Sequence, residues 1–203
     1  MRIFGIDPGS ERTGYGCVET DGRCHHLIAC GAITATAGDP FPRRLARIHR
    51  ELAALLASHR PECVAVESLF HAVNARSALK LGHARGVAIL AAVEAGCEVV
   101  EYTPAEIKRA VVGYGRAEKH QVQQMITLLL GLSKAPTPHD ASDALAVAIC
   151  HLHSRPWGGP SQVRPGEPDP STGSGSPRAE SRGDKARPTG PRSWRQYRPP
   201  AHG

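Results

Sequence analysis

The sequence lacks the features that direct a protein into or through a membrane. No apolar run among its 203 residues approaches the ~20 residues that a membrane-spanning helix needs. The N-terminus becomes polar within its first ten residues and has no basic leading segment, so it does not resemble a secretory signal. These absences predict a protein that acts in the cytoplasm and has no membrane partner.

The sequence also lacks Cys-x-x-Cys pairs, a spacing typical of structural zinc sites. Its six cysteines stand mostly inside apolar stretches, which predicts reduced thiols that pack as small apolar side chains. One segment combines residue types that bind zinc, namely Cys24, His25, His26 and Cys30, but its flanking residues have the pattern of a strand. Metal binding at this segment is therefore the disfavoured interpretation.

Apolar residues become scarce after His153, and this change predicts where the folded part ends. From Pro156 to Gly203 the chain contains ten Pro and eight Gly, a composition that cannot bury enough surface to order the backbone. We predict a folded domain over 1–155 and a disordered tail over 156–203. The tail carries eight Lys/Arg against four Asp/Glu and so holds +4 of the net charge of +6. It is either a solvated extension or a loose nucleic-acid contact.

The apolar periodicity predicts a mixed α/β sheet with helices on both faces. An "Asp-Gly" turn at 21–22 joins two of the first three strands as a hairpin, and a strand–helix–strand–helix–strand order around 63–103 implies parallel neighbours. The fold class is thus a five-stranded sheet with three antiparallel strands plus parallel ones. The predicted strands are 2–7, 13–20, 23–34, 63–68 and 97–103, and the predicted helices are 42–58, 77–95, 104–112, 118–131 and 138–153.

Two carboxylates stand where buried strands end. Asp7 follows the apolar stretch "RIFGI" and Glu67 follows "CVAV". Ligand sites of open α/β sheets gather at the carboxyl ends of strands, so parallel neighbours would bring these acids together. A buried charge must be paired, bound to metal or neutralised. Either acid taken alone could instead cap a loop.

A second pair of carboxylates stands at the start of the last helix, in "TPHDASDALAVAI". We expect Thr137 to cap this helix and Pro138 to be its first residue. Asp140 could serve a capping box, but Asp143 lies a turn further along, and residues three apart share one helix face. The pair precedes an apolar run that must pack on the core, which indicates a site rather than a solvated surface.

Four converging carboxylates would repel one another unless cations hold them. Oxygen ligands without His or Cys favour Mg²⁺ or Mn²⁺ over zinc. Two such ions about 3.5–4 Å apart stabilise the attacking and leaving oxygens of a phosphoryl displacement. The residues alone therefore indicate a metal-dependent site for phosphoryl displacement.

The order of these acids is similar to that of the RuvC family, the bacterial Holliday junction resolvases. The resemblance rests on "GIDPG", "VES" and "DASDALA", together with the stretches 74–92 and 111–126, and covers residues 1 to about 153. It implies an RNase H-like fold, a homodimer, and Mg²⁺-dependent nicking of four-way DNA junctions alongside the RuvAB branch-migration complex. The chemistry of the four acids adds the expectation of two Mg²⁺ per subunit, with Mn²⁺ as a substitute. The implied catalytic and metal-binding residues are Asp7, Glu67, Asp140 and Asp143, with His139 a minor candidate.

The resemblance also implies DNA-binding residues outside the acidic quartet. Phe70 matches an aromatic that stacks on bases at the opened crossover, although it could simply anchor its loop. Lys108 and Lys119 match basic positions, and each stands near a predicted helix start, where a phosphate would also bind well. As unmatched lysines they would be solvated surface charges. The helix over 77–95 could pack on the sheet or on a partner subunit, and the resemblance favours the partner.

Three other functions are also compatible with parts of the sequence. "GIDPGS" is similar to the phosphate loop of actin-like and sugar-kinase ATPases, but a second phosphate loop and an adenosine segment are absent from the sequence. A different RNase H-like nuclease would use the same acids. A junction-binding module without activity would have no need of an intact quartet.

Overall fold

The computed structural model describes residues 1–35, 38–68 and 74–154. The predicted tail over 156–203 and Phe70 lie outside these residues, so the domain boundary and the role of Phe70 stay predictions. The elements, in chain order, are β1 (Arg2–Asp7), β2 (Arg12–Thr20), β3 (His25–Thr34), α1 (Phe41–His59), β4 (Cys63–Glu67), α2 (Ala75–Glu94), β5 (Glu98–Tyr102), α3 (Pro104–Val112), α4 (Lys119–Leu129) and α5 (His139–Ser154).

The five described strands form one sheet in the order β3-β2-β1-β4-β5. β1 is antiparallel to β2, and β2 to β3, whereas β4 is parallel to both β1 and β5. The predicted mixed sheet is confirmed. Because β1, β4 and β5 run in the same direction, their carboxyl ends meet at one edge of the sheet.

Helices cover both faces of the sheet, and alternate residues of β1 and β4 supply the two cores. On one face α1 and α2 pack against Phe4, Ile6, Val64 and Val66. On the other face α3, α4 and α5 pack against Ile3, Cys63 and Ala65. Strands buried on both faces explain why the sequences of β1 and β4 are continuously apolar instead of alternating.

The β2–β3 hairpin has a longer turn than the predicted "Asp-Gly" pair. Thr20 pairs with His25, so residues 21–24 connect the strands. Asp21 Oδ1 accepts hydrogen bonds from the backbone N–H groups of Arg23 and Cys24, both at 2.8 Å. These bonds hold residues 23 and 24 out of the ladder, and the predicted strand start at residue 23 is therefore wrong by two residues.

Helix α5 begins at His139, one residue later than predicted. Pro138 is not the first helical residue; its carbonyl accepts a hydrogen bond from Ala141 N–H at 2.9 Å. Asp140 is thus in the first turn and Asp143 follows one turn later, as the spacing predicted.

Helix α5 lies so close to β1 and β2 at Gly5 and Gly14 that its backbone occupies the space of a side chain at these two positions. A Cβ atom at Gly5 would overlap the carbonyl oxygen of Ala144, and one at Gly14 would overlap that of Asp140. Gly14 is the ladder partner of Asp7. The missing side chains therefore allow the first turn of α5 to lie beside the end of β1.

All six cysteines are free thiols. Burial raises the pKa of Cys17 and Cys150 to about 11, as expected for thiols that act as packing residues. In the described residues no three His, Cys, Asp or Glu side chains are grouped closely enough to hold a metal ion, and this includes Cys24, His25, His26 and Cys30. The disfavoured zinc interpretation gains no support.

The helices that the structure describes include none long and apolar enough to cross a bilayer. The cytoplasmic location stays a prediction.

We expect Gly14→Ala to destabilise the protein by about 1–3 kcal/mol, because the added methyl group would force α5 away from β2. Urea denaturation followed by circular dichroism measures this change. Gly38→Ala is the control, since a Cβ there would meet none of the described residues within 4 Å. Equal stabilities of the two variants would contradict the close approach.

Candidate active site

The register of β1 and β4 brings the two sheet carboxylates side by side. Ile6 pairs with Val66 in parallel, so the residues that follow them, Asp7 and Glu67, end the two strands side by side with their side chains on the same face. That face is the one covered by α5. The side chains of Asp7 and Glu67 are hydrogen-bonded to each other.

Burial makes this carboxylate pair reluctant to ionise. Burial, followed by repulsion from Glu67, Asp143 and Asp140, raises the pKa of Asp7 to about 8. Burial also raises the pKa of Glu67, although its hydrogen bond with Asp7 and the nearby Lys119 and Lys108 act in the opposite direction. Two carboxylates joined by a hydrogen bond share a proton, so the pair binds a proton where it could otherwise bind a cation.

The helix carboxylates face the same space and are held by cations from other elements. Lys119 Nζ lies 2.6 Å from Asp143 Oδ2. Arg12 Nη1 donates a hydrogen bond to Asp140 Oδ2 at 3.4 Å. The structure therefore brings all four predicted acids to one edge of the sheet, with electrostatic interactions linking Asp7 to each of the other three.

Both predicted DNA-binding lysines are near the acids. Lys119 is the first residue of α4. Partial burial lowers the pKa of its ammonium group, but the contact with Asp143 raises it, and the net shift of the pKa is upward. Lys108 is on α3, which begins after β5 has reached the same edge, and it interacts electrostatically with Glu67. Thr103 caps α3 through a reciprocal pair of hydrogen bonds with Glu106, which fixes the direction of that helix.

His139 is the first residue of α5, but its ring points to a neighbouring helix. A hydrogen bond of 2.7 Å joins its Nδ1 to Gln123 Nε2 on α4. This contact occupies one ring nitrogen, and a role for His139 in the chemistry stays a prediction.

Arg12 is the site residue that the sequence reasoning missed. It is the first residue of β2, which lies antiparallel to β1, so it comes to the sheet edge where Asp7 ends β1. The predicted antiparallel pairing of β1 and β2 could have placed Arg12 near Asp7, because an antiparallel neighbour starts where β1 ends. The contact between Arg12 and Asp140 could not be predicted from the sequence, because the two residues are 128 positions apart.

The donor chemistry of the site fits a hard divalent cation. Its four acids offer only carboxylate oxygens, and the raised pKa values of the half-buried Asp7 and Glu67 show that this pair lacks a cation to stabilise its charge. In the described part of the chain no three ligand side chains are yet close enough to hold one ion together. Binding of one ion by several of these acids would therefore require their side chains to move closer together.

Comparison with known proteins relates nearly all of the described residues to one family. A family model described as "Crossover junction endodeoxyribonuclease RuvC" matches residues 3–151. The crossover junction endodeoxyribonuclease RuvC of Koribacter versatilis is 56% identical over 155 residues, which are 76% of this chain and 93% of that protein.

Solved structures give the same result. The structure of Thermus thermophilus RuvC is 37% identical, covers 75% of this chain and 94% of its own, and superimposes with a TM-score of 0.71. A second structure contains T. thermophilus RuvC in complex with a Holliday junction substrate; it is 35% identical, covers 75% and 94% of the two chains, and has a TM-score of 0.70.

The raised pKa of Asp7 predicts how the metal-free protein responds to pH. The folded state keeps a proton that the unfolded chain releases near the ordinary value of 3.8, so stability falls as the pH rises from about 4 to about 8. Asp7→Asn removes this ionisable group. At pH 8.5 in EDTA we expect the variant to be more stable than the wild type by about 1–3 kcal/mol, and at pH 5 nearly equal to it.

Urea denaturation at the two pH values measures this difference. Glu11→Gln is the control, because it removes a carboxylate that is 85% exposed. A stability difference between Asp7→Asn and the wild type that did not change with pH would contradict the raised pKa of Asp7.

Proposed function

Since the chain belongs to the RuvC family of crossover junction endodeoxyribonucleases, we propose that it resolves four-way (Holliday) DNA junctions by hydrolysing phosphodiester bonds during recombination and repair. The observation that carries the proposal is the convergence of Asp7, Glu67, Asp140 and Asp143 at one sheet edge. The relative from K. versatilis carries the same enzyme name, and T. thermophilus RuvC has been solved with such a junction. Hydrolysis would leave 5′-phosphate and 3′-hydroxyl ends.

The acidic quartet is the proposed ligand set for divalent cations. Membership of this nuclease family implies divalent-metal dependence in general. We propose Mg²⁺ as the natural ion, two ions per subunit, and Mn²⁺ as a substitute, because oxygen donors alone suit these ions. When bound, such ions supply Lewis acids that activate water and neutralise charge on the phosphate.

The protein's own groups would position this chemistry. Asp7 and Glu67 stand at the ends of buried strands, the stiffest part of the fold, and so keep the ligands in place. Lys119 and Lys108 carry positive charge beside the acids and would bind the phosphate oxygens next to the cleaved bond. Phe70 remains a proposed stacking residue for an unpaired base.

We propose that the chain acts as a homodimer joined through α2. The small residues of α2 that face the sheet, among them Ala84 and Ala88, are fully buried. Leu79, Leu90 and Val93 are exposed instead, and Leu79 and Leu90 help to line an open apolar groove on this helix. An exposed apolar surface of this kind is typical of an interface, and a two-fold pair of sites suits a substrate with two strands to cut.

Cooperation with the RuvAB branch-migration complex stays a prediction from the family resemblance. The phosphate-loop ATPase alternative receives no support, because the RuvC family model extends over the whole of residues 3–151.

The catalytic role of the quartet predicts that binding and cleavage can be separated. Asp7→Asn should bind a synthetic four-way junction with nearly wild-type affinity but nick it at least about 10³-fold more slowly in Mg²⁺, because a central ligand is lost. Gel-shift and strand-cleavage assays on one labelled junction measure the two properties. Glu11→Gln should behave as the wild type, and normal cleavage by Asp7→Asn would refute the assignment.

The proposed interface predicts a charge-sensitive dimer. Leu79→Arg places a charge on an apolar side chain that is 65% exposed in the monomer, so we expect it to shift the protein to monomers in analytical ultracentrifugation. Paired nicking of both strands should fall with it. Leu128→Arg on α4, where the leucine is 74% exposed, is the matched control and should leave the dimer intact. Equal sedimentation of the two variants would exclude α2 as the interface.

A further inference from the structure

The negative charge of the four acids is compensated in two different ways. Asp7 and Glu67 are half-buried and hydrogen-bonded to each other. Asp140 and Asp143 each contact a cationic side chain from another element, Arg12 and Lys119 respectively. The helix half of the site thus already has positive charge on it before any metal ion binds.

The contact between Arg12 and Asp140 has the features of a pair that separates easily. The Arg12 side chain is 51% exposed, and one nitrogen contacts one oxygen at 3.4 Å instead of forming the two short bonds of a bidentate pair. Exposed ion pairs of this kind contribute little to stability. Arg12 can therefore leave Asp140 at little cost when a better partner is present.

A divalent cation and the Arg12 guanidinium cannot both use Asp140 without cost. A metal ion bound to this carboxylate would bring two like charges to within a few ångströms of each other. A guanidinium that is displaced from a carboxylate has a good alternative partner in phosphate, which offers the same pairs of oxygen acceptors. DNA bound at the site would supply such a phosphate.

We propose that Arg12 competes with the divalent cation for Asp140 in the DNA-free protein and moves to a DNA phosphate when junction and cation are both bound. Arg12 is then a positioning residue that couples metal binding to DNA binding. Because this coupling is reciprocal, the cation raises the affinity for DNA by the same factor as DNA raises the affinity for the cation. The proposal rests on the proposed junction-cleaving function, since it needs a phosphate substrate at the acidic site.

The first test measures Mn²⁺ affinity of the DNA-free protein by electron paramagnetic resonance, which counts the unbound ion. We expect Arg12→Gln to bind Mn²⁺ about 3- to 10-fold more tightly than the wild type, because the competing charge is gone. Arg12→Ala removes the same charge and should give the same change. Arg12→Lys keeps the charge and should stay near the wild-type value.

Arg50→Gln is the matched control for the loss of one positive charge. Arg50 is exposed on α1 and is not in an ion pair with any described residue, so its removal should leave Mn²⁺ affinity unchanged. If the loss of any positive charge were enough, Mn²⁺ affinity would rise in Arg50→Gln as much as in Arg12→Gln, and the proposal would fail. Unchanged or weaker Mn²⁺ binding by both Arg12→Gln and Arg12→Ala would overturn the proposal.

The second test measures the coupling itself. Fluorescence anisotropy gives the affinity for a labelled four-way junction in EDTA and in Ca²⁺, with strand integrity checked on a denaturing gel. The gain in junction affinity on adding Ca²⁺ should be smaller in Arg12→Gln than in the wild type by about the same 3- to 10-fold. An equal gain in both proteins would contradict the movement of Arg12 to phosphate.

Failure of this inference and failure of the proposed function give different results. If the wild type nicks the junction in Mg²⁺ while Mn²⁺ affinity is the same in wild type and Arg12→Gln, only the role of Arg12 is refuted. If the wild type does not nick the junction, the proposed function fails, and the Mn²⁺ comparison still reports on Arg12 and Asp140.

Discussion

The close approach of α5 to β1 and β2 is the constraint on which the rest of this site depends. At Gly5 and Gly14 no side chain separates the helix backbone from the strands. The first turn of α5 therefore reaches the end of β1, where Asp7 stands, and carries Asp140 and Asp143 with it. A sheet with ordinary side chains at these positions would hold the helix farther from the strands, and the two pairs of acids would remain apart.

Bringing four acids together works against the stability of the fold. Burial and mutual repulsion raise the pKa of Asp7, and the ion pairs of the quartet in the described part of the chain are those of Asp143 with Lys119 and of Asp140 with Arg12. Sites that perform chemistry are often destabilising in this way, because the groups are arranged for the substrate and its ions instead of for the empty protein. A divalent cation with a DNA phosphate would relieve the repulsion that the fold alone leaves in place.

Most of the fold could be predicted because its signals are local. Apolar periodicity placed all ten described elements to within about two residues at each end, since strand and helix periods differ and Gly and Pro interrupt both. The start of α2 and the end of α4 each differ from the prediction by two residues. Two other errors, at the β2–β3 turn and at the start of α5, occurred where one side chain redirects the backbone. Asp21 accepts two backbone hydrogen bonds and lengthens the hairpin turn, and α5 begins after Pro138 instead of at it. Such bonds depend on the conformation of a few residues, which composition does not reveal.

The sequence by itself determined the mixed sheet, the four acids and the family resemblance, because each is a pattern of residues along the chain. Only the tertiary structure decided that Asp7 and Glu67 share one face and a hydrogen bond, that Leu79 is exposed, and that Arg12 contacts Asp140. The reason is physical: strand register and helix packing set these distances, and they join residues as far as 128 positions apart that have no local influence on one another.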